Sequence, residues 1–319
     1  MLAITALVAW LAVFVAAPLG LDLVLPAPDH NPLTPAKVDL GRRLFLDRRL
    51  SNNGTVACAS CHNPSRAFSD GRAVPVGVAG QTGVRNAPAL INRGYGTAFF
   101  WDGRAPTLEV QVLQPLLDTH EMAATRDGIL QRLRGNGQYR RQFRAAFNRD
   151  PEWEDVGRAL ASYVRTIRSG NSPYDRFRNG DKSALTDQQQ RGMRIFFGRG
   201  NCWSCHQGAT LTDERFHNTG VAFRRSHFLD DGRFIITKHP ADLRAFKTPT
   251  LREIARTAPY MHDGSIATLE DVVDHYDRGG SPDQALSREI RPLNLSVDDK
   301  RALVVFLRSL SGRIEESFR

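Results

Sequence analysis

The sequence predicts an all-α fold made of two similar halves, each wrapped in long irregular loops. Three observations predict it: a pair of matching cysteine motifs, an internal repeat around them, and apolar spacing that is helical wherever a period can be read. All four cysteines of the 319 residues fall into two C-x-x-C-H runs, Cys58-Ala59-Ser60-Cys61-His62 and Cys202-Trp203-Ser204-Cys205-His206. Two thiols at this spacing can add to the vinyl groups of a haem while the next imidazole reaches its iron, so each run reads as a covalent c-type haem site. The rival readings are weaker. A redox C-x-x-C belongs in a βαβ context, which the pattern lacks, and a four-cysteine zinc site would leave an identically placed histidine idle after each pair.

The repeat extends well beyond the motifs. Gly41-Arg42-Arg43-Leu44-Phe45 precedes the first and Gly192-Met193-Arg194-Ile195-Phe196 the second. After them, Pro88-Ala89-Leu90, Trp101-Asp102-Gly103 and Thr107-Leu108-Glu109 match Pro249-Thr250-Leu251, His262-Asp263-Gly264 and Thr268-Leu269-Glu270 at an offset of 161 residues throughout. A duplicated haem domain follows. Residues 33–175 are expected to form a cytochrome c-like domain around haem 1 and 182–312 another around haem 2, joined by a stretch rich in Gly, Asn, Ser and Pro.

Taken in order, residues 1–30 read as an export segment with its linker, because Leu2 to Gly20 is almost wholly apolar. Its length suffices for a hydrocarbon core of ~30 Å. No Lys or Arg precedes it, and Pro18 spoils the small-residue cleavage site after Ala17. A cleaved signal and a retained membrane anchor formed by residues 2–20 both stay open, and either places the folded part in the periplasm. Thr34 before Pro35 starts a helix, Thr186 with Gln189 makes a capping box, and Ser296 caps the last helix. Leu160, Tyr163, Val164 and Ile167 form one helical stripe, and Leu303, Phe306, Leu307 and Leu310 another. Segments 69–100 and 207–247 read as long loops, and no run alternates as a strand.

The 43 Lys and Arg outnumber the 34 Asp and Glu, giving a net charge of +9. The arginines are scattered, with no basic helix or zinc finger, so nucleic acid is not an expected partner. A solvated basic surface is the simple reading; a docking face for an acidic redox partner is the functional one.

Helices starting near Thr107 and Thr268 are expected to run over the distal faces of the two haems. The second carries Leu269, Val272, Val273 and Tyr276; the first carries Leu108, Gln111, Val112 and Pro115 at the matching positions. Proline offers iron nothing, whereas a phenolate can bind it. If this position faces the iron, haem 1 is open and haem 2 is closed by Tyr276. The competing reading of Tyr276 is a core aromatic. His275 lies about 100° away on the helix, on a face it shares with Asp271, and His262, Met261, His217, His227 and Met193 stay open as ligands.

With Leu40-Gly41-Arg42-Arg43-Leu44-Phe45, Arg85-Asn86-Ala87-Pro88, Phe100-Trp101-Asp102-Gly103-Arg104-Ala105, Glu121-Met122 and Thr257-Ala258-Pro259-Tyr260-Met261-His262-Asp263-Gly264-Ser265 in view, the chain resembles the bacterial di-haem cytochrome c peroxidase family, and within it the MauG-like branch. The resemblance runs from about residue 33 to 312. It implies two covalently bound haem c groups, with His62 the proximal ligand of the peroxide-reacting haem and His206 that of the electron-transferring haem. It further implies an inter-haem tryptophan at Trp101, a distal glutamine at Gln111, a distal glutamate at Glu121, and a calcium ion held by Asn86, Thr257 and Pro259. MauG-like members place a tyrosine where Tyr276 stands, and other members a methionine. The loop histidine that caps haem 1 in many members has no counterpart, since no histidine lies between His62 and His120.

The implied function is hydrogen peroxide reduction at an open haem 1, with electrons relayed through haem 2 from a small c-type cytochrome or cupredoxin. The alternatives are a MauG-like oxidase that modifies a side chain of a protein substrate through a high-valent two-haem state, and a plain electron-transfer cytochrome. The tryptophan that MauG places ahead of its second motif is Gly200 or Asn201 here. By residue type alone, Trp101 reads more often as core than as relay, and a solvated surface carboxylate is the lesser reading of Glu121.

Overall fold

The computed structural model describes residues 17–22, 24–221, 223–224 and 227–316, so most of the apolar Leu2–Gly20 segment and the His227 side chain lie outside the described residues. Among the described residues no helix is long and apolar enough to cross a membrane. Among the described residues twelve α-helices follow in order: α1 Pro35–Leu46, α2 Cys58–Cys61, α3 Leu108–Gln111, α4 Gln114–Leu117, α5 Arg126–Gly135, α6 Gly137–Phe147, α7 Trp153–Thr166, α8 Pro173–Arg178, α9 Asp187–Phe197, α10 Phe234–Thr237, α11 Leu269–Asp277 and α12 Val297–Arg308. Strands among the described residues are two or three residues long: β1 Arg168–Gly170 pairs with β6 Arg313–Glu315, β2 Phe216–His217 with β5 Phe246–Lys247, and β3 Phe223–Arg224 with β4 His227–Phe228. The fold is therefore all-α with loops, as the periodicity predicts.

The helix starts obey local chemistry. Thr34 accepts from the Lys37 amide with Pro35 in the first turn, and Thr186–Gln189 and Ser296–Asp299 form reciprocal capping boxes. The stripe of α7 is buried, as is that of α12, and Ile167 and Leu310 extend each just past its helix. Two clusters of buried apolar side chains result. One gathers Val38, Leu44, Phe45, Leu108, Leu160 and Tyr163; the other gathers Tyr174, Phe196, Leu269, Val273, Leu303 and Phe306.

The repeat is visible in three dimensions. In the first half α1 crosses α7 so closely that a Cβ on Gly41 would strike the Ala159 carbonyl and the Tyr163 side chain. In the second, α9 crosses α12 with Gly192 against Ala302 and Phe306 in the same way. Glu109 at the start of α3 pairs with Arg165 of α7, and its counterpart Glu270 of α11 pairs with Arg308 of α12. Asn92 accepts from the Ser169 amide after α7, and Glu253 from the Gly312 amide after α12. Antiparallel pairing of β1 with β6 then joins the segments that leave the two helices.

Three features differ from the sequence expectation. The helix expected over the first distal face is broken into α3 and α4, because Pro115 lacks the N–H that would bond Gln111 and its ring crowds that carbonyl. His275 is buried, its Nε2 2.8 Å from the Thr219 carbonyl, so the face it shares with Asp271 is partly covered by the 216–220 segment. Residues Pro18 to Leu21, counted with the export segment, lie against the body: Leu19 exchanges hydrogen bonds with Asn171, and the Gly20 carbonyl accepts from Arg252.

Candidate active site

Each C-x-x-C-H run is a single turn of helix that presents its thiols and imidazole on one side. The His62 amide closes onto the Cys58 carbonyl and the His206 amide onto that of Cys202, both at 2.9 Å. All four thiols are free. His62 Nδ1 lies 3.2 Å from the Phe68 carbonyl and His206 Nδ1 3.1 Å from that of Leu211. These contacts assign the proton to Nδ1 and leave Nε2 as the free ligand nitrogen. Burial holds both imidazoles in the neutral, metal-binding form, pushing His206 down to about 4.

Both histidines line one cavity of about 1280 Å³ that opens between the halves and also takes in Cys61, Cys202 and Cys205. Ligand cavities commonly measure roughly 300–1,000 Å³, so this one has room for more than one large cofactor. Cys58 lines a smaller cleft beside it, together with His62, Gln111, Pro115 and Glu121. Paired free thiols, neutral histidines with a fixed tautomer and a cavity of this size fit two covalently attached haems.

On the side of the cavity expected to be distal at haem 1, Gln111 ends α3, Pro115 lies in the first turn of α4, and Glu121 follows in the next turn. That turn is pinned twice: the Glu121 amide donates to the Asp118 carbonyl, and the Glu121 carbonyl accepts from the Val78 amide. Burial pushes the Glu121 carboxyl up to about 7, with Asp118 adding to the shift and Arg104 opposing it. His120 stands at the rim, 60 % exposed and beside Asp118.

Tyr276 lines the cavity from α11, near Cys202 and Cys205. Its burial, with the Cys205 sulfur beside it, pushes the phenol up to about 12, so ionisation there needs a strong cation. Among the other candidate ligands, His275 is engaged by the Thr219 carbonyl and His217 by Asp213 at 2.8 Å. The His262 ring stacks on Phe246 with centroids 3.5 Å apart, and Met193 packs on the second apolar cluster. Met261 does both jobs, packing on that cluster and lining the cavity. Cys205, Asp213 and His217 offer three metal-binding atoms within 4.8 Å of one another, but the Cys205 sulfur belongs to the haem motif.

Trp101 sits where the halves meet. Its indole N–H donates to the Asn86 carbonyl, and its own carbonyl accepts from the Lys247 amide, both at 2.8 Å. Arg85 bridges Asp102 and Asp230 at 2.6 and 2.7 Å, and Arg233 donates to the Asp102 carbonyl. The Asn86 amide donates to the His262 carbonyl, which carries Asn86 to the turn holding Thr257 and Pro259; all three line the cavity. The Asn86 Nδ2 donates to the carbonyls of Arg72 and Ala73, leaving its Oδ1 for an oxygen-loving cation.

Sequence reasoning missed Arg104, the Arg85 bridge and a buried cluster of Arg93, Glu214 and Lys247. Arg85 and Arg104 stand in motifs from which no role could be read for them, and the Asp230 partner of Arg85 and the members of the Arg93–Glu214–Lys247 cluster lie far apart along the chain.

Comparison with known proteins agrees with this picture. A family model described as di-haem cytochrome c peroxidase matches residues 35–183. The methylamine utilization protein MauG of Methylorubrum extorquens is 42% identical over 90% of this chain and 82% of its own length. The cytochrome-c peroxidase IdrP1 of Pseudomonas sp. strain SCT is 36% identical over 90% of this chain and 84% of its own. Among solved structures, a MauG-like protein associated with microbial copper homeostasis superposes with a TM-score of 0.84 at 36% identity, covering 95% of this chain and 96% of that one.

Proposed function

The chain belongs to the di-haem cytochrome c peroxidase family, and on that premise we propose that it reduces hydrogen peroxide at an open haem 1 held by His62, while haem 2, held by His206 and closed by Tyr276, relays the electrons. The observation that carries this reading is the asymmetry of the two distal sides. Gln111, Pro115 and Glu121 share one cleft with His62, and Tyr276 occupies on the other side the position that Pro115 occupies on the first. We assign residues 33–175 to the haem 1 unit and 182–312 to the haem 2 unit.

Each haem, when bound, supplies an iron that can accept an oxygen or pass an electron. The chain's residues do the proton work. A carboxyl raised to about 7 is close to half-ionised at neutral pH, so Glu121 can take the proton from one peroxide oxygen and return it to the other. The Gln111 amide is placed to donate to the bound peroxide. O–O cleavage then consumes two electrons and two protons and releases two waters, the electrons coming from the donor. Trp101, bonded to both halves, is the group through which electrons cross. Tyr276 excludes peroxide from haem 2. Asn86, Thr257 and Pro259 are assigned to a calcium ion that fixes the halves, and the periplasm is the expected compartment.

Tyr276 and the resemblance to MauG favour a second reading, in which the same chain oxidises a side chain of a protein partner. The two are separated by adding peroxide to the as-isolated protein with a reduced small c-type cytochrome or cupredoxin. Stoichiometric, multiple-turnover donor oxidation supports the peroxidase. Peroxide consumption that the donor leaves unchanged supports the second reading and removes the first.

A further inference from the structure

One buried charge cluster on the cavity wall takes no part in this chemistry. Arg93 Nη1 lies 2.7 Å from Glu214 Oε1 and Nη2 3.2 Å from Oε2, while Lys247 Nζ lies 3.2 Å from the same Oε1. The three side chains are 12, 13 and 9% exposed. Two cations thus converge on one carboxylate. Asp213, the next acid along the chain, offsets the excess only in part, because it is engaged by His217 at 2.8 Å. Burying a charge without a counter-charge is strongly unfavourable, so a second anion belongs beside this cluster.

The geometry says where that anion lies. Arg93 and Lys247 line the cavity that holds both histidines, and Glu214 is not part of that lining. Lys247 donates to Glu214 and, at 3.0 Å, to the Thr248 carbonyl, which leaves its third N–H without an acceptor among the described residues. A c-type haem brings two carboxylates of its own, its propionates, into such a cavity. Lys247 lies on β5, which pairs with Phe216–His217 and runs directly into Pro249 beside His206.

We propose that Arg93 and Lys247 form a carboxylate-binding site that holds a propionate of haem 2. The site rests on two haems being bound and not on the peroxidase reading, so the two stand or fall separately. Burial and the Arg93 charge together push Lys247 down to about 7, Glu214 only partly opposing them; a propionate opposite the ammonium supplies the missing compensation. Since Arg93 comes from the first half and Lys247 from the second, the same contact makes haem 2 part of the joint between them.

The test uses the holoprotein and its Lys247→Met, Lys247→Arg and Arg93→Gln variants. Haem content, the midpoint potentials of both haems and the resonance Raman propionate bending band are measured. Losing the cation favours the ferric state, so Lys247→Met should keep two haems per chain while raising the ferric-to-ferrous ratio of haem 2 about tenfold at fixed potential, equivalent to about 59 mV for one electron. The propionate band should move with it, and Lys247→Arg should restore both. If Lys247→Met yields no holoprotein, Arg93→Gln carries the same expectation. An unmoved haem 2 potential and propionate band, with both haems attached, or a shift confined to haem 1, would overturn the proposal.

Discussion

At the scale of single residues, the proposed function rests on two side chains, Glu121 and Tyr276. Glu121 is useful because burial raises its carboxyl to about 7, with Asp118 reinforcing the shift. A base must be ionised to act, so the rate of peroxide cleavage is predicted to rise with pH through about 7 and then level off. Glu121→Gln should remove that limb and slow cleavage by roughly 10²–10⁴, the usual scale for a positioned acid–base group. Stopped-flow rates of the variant that match the wild type across pH would take Glu121 out of the mechanism. Tyr276 is tested against its neighbour. Tyr276→Phe should leave haem attachment intact, since Cys202, Cys205 and His206 are untouched, yet open haem 2 and raise its potential. His275→Ala loses a contact with the Thr219 carbonyl and an edge contact with the Tyr276 ring but keeps the phenol, and should leave haem 2 closed. The reverse pattern would assign the ligand to His275. Both Glu121 and Tyr276 were legible in the sequence, through the resemblance and through the match of Tyr276 with Pro115. The buried Arg93–Glu214–Lys247 cluster was not, because its members stand more than 30 residues apart and only the folded cavity wall joins them.

At the scale of elements, the duplicated helix pairs carry the same ion pair in two settings. Arg165 and Glu109 are 7 and 12% exposed and bonded through two contacts, whereas Arg308 and Glu270 are both 56% exposed. Removing one partner of a buried pair strands the other, at about 3–5 kcal/mol, whereas an exposed pair contributes about 0–1 kcal/mol. Arg165→Met should therefore lower the chemical-denaturation midpoint clearly, and Arg308→Met barely. Equal losses would mean that the two halves do not differ as their burial indicates. Caps and apolar stripes made α1, α7, α9 and α12 readable, since each is a local pattern. The short strands were not readable: two or three residues are too few to show alternation, and β1 has its partner β6 at the far end of the other half. The break between α3 and α4 was foreseeable from Pro115 itself, yet the match to continuous α11 favoured one unbroken helix.

At the scale of the whole molecule, the repeat gives two haem motifs on matching scaffolds, and the proposed function makes them chemically unequal through one helix position, Pro115 against Tyr276. The matching glycine crossings at Gly41 and Gly192 keep the scaffolds alike. In the proposed reading the difference lies on α4 and α11, where Pro115 and Tyr276 both line the cavity. Trp101 and the Arg85 bridge hold the two sites together across the joint. The inequality of the irons is the central claim, and low-temperature EPR of the oxidised, as-isolated protein reads both at once. One high-spin ferric signal from a five-coordinate haem 1 and one low-spin signal from a tyrosine-closed haem 2, with peroxide reacting before any electron is added, is the predicted result. Two low-spin signals, and no reaction until the protein is reduced, would contradict it.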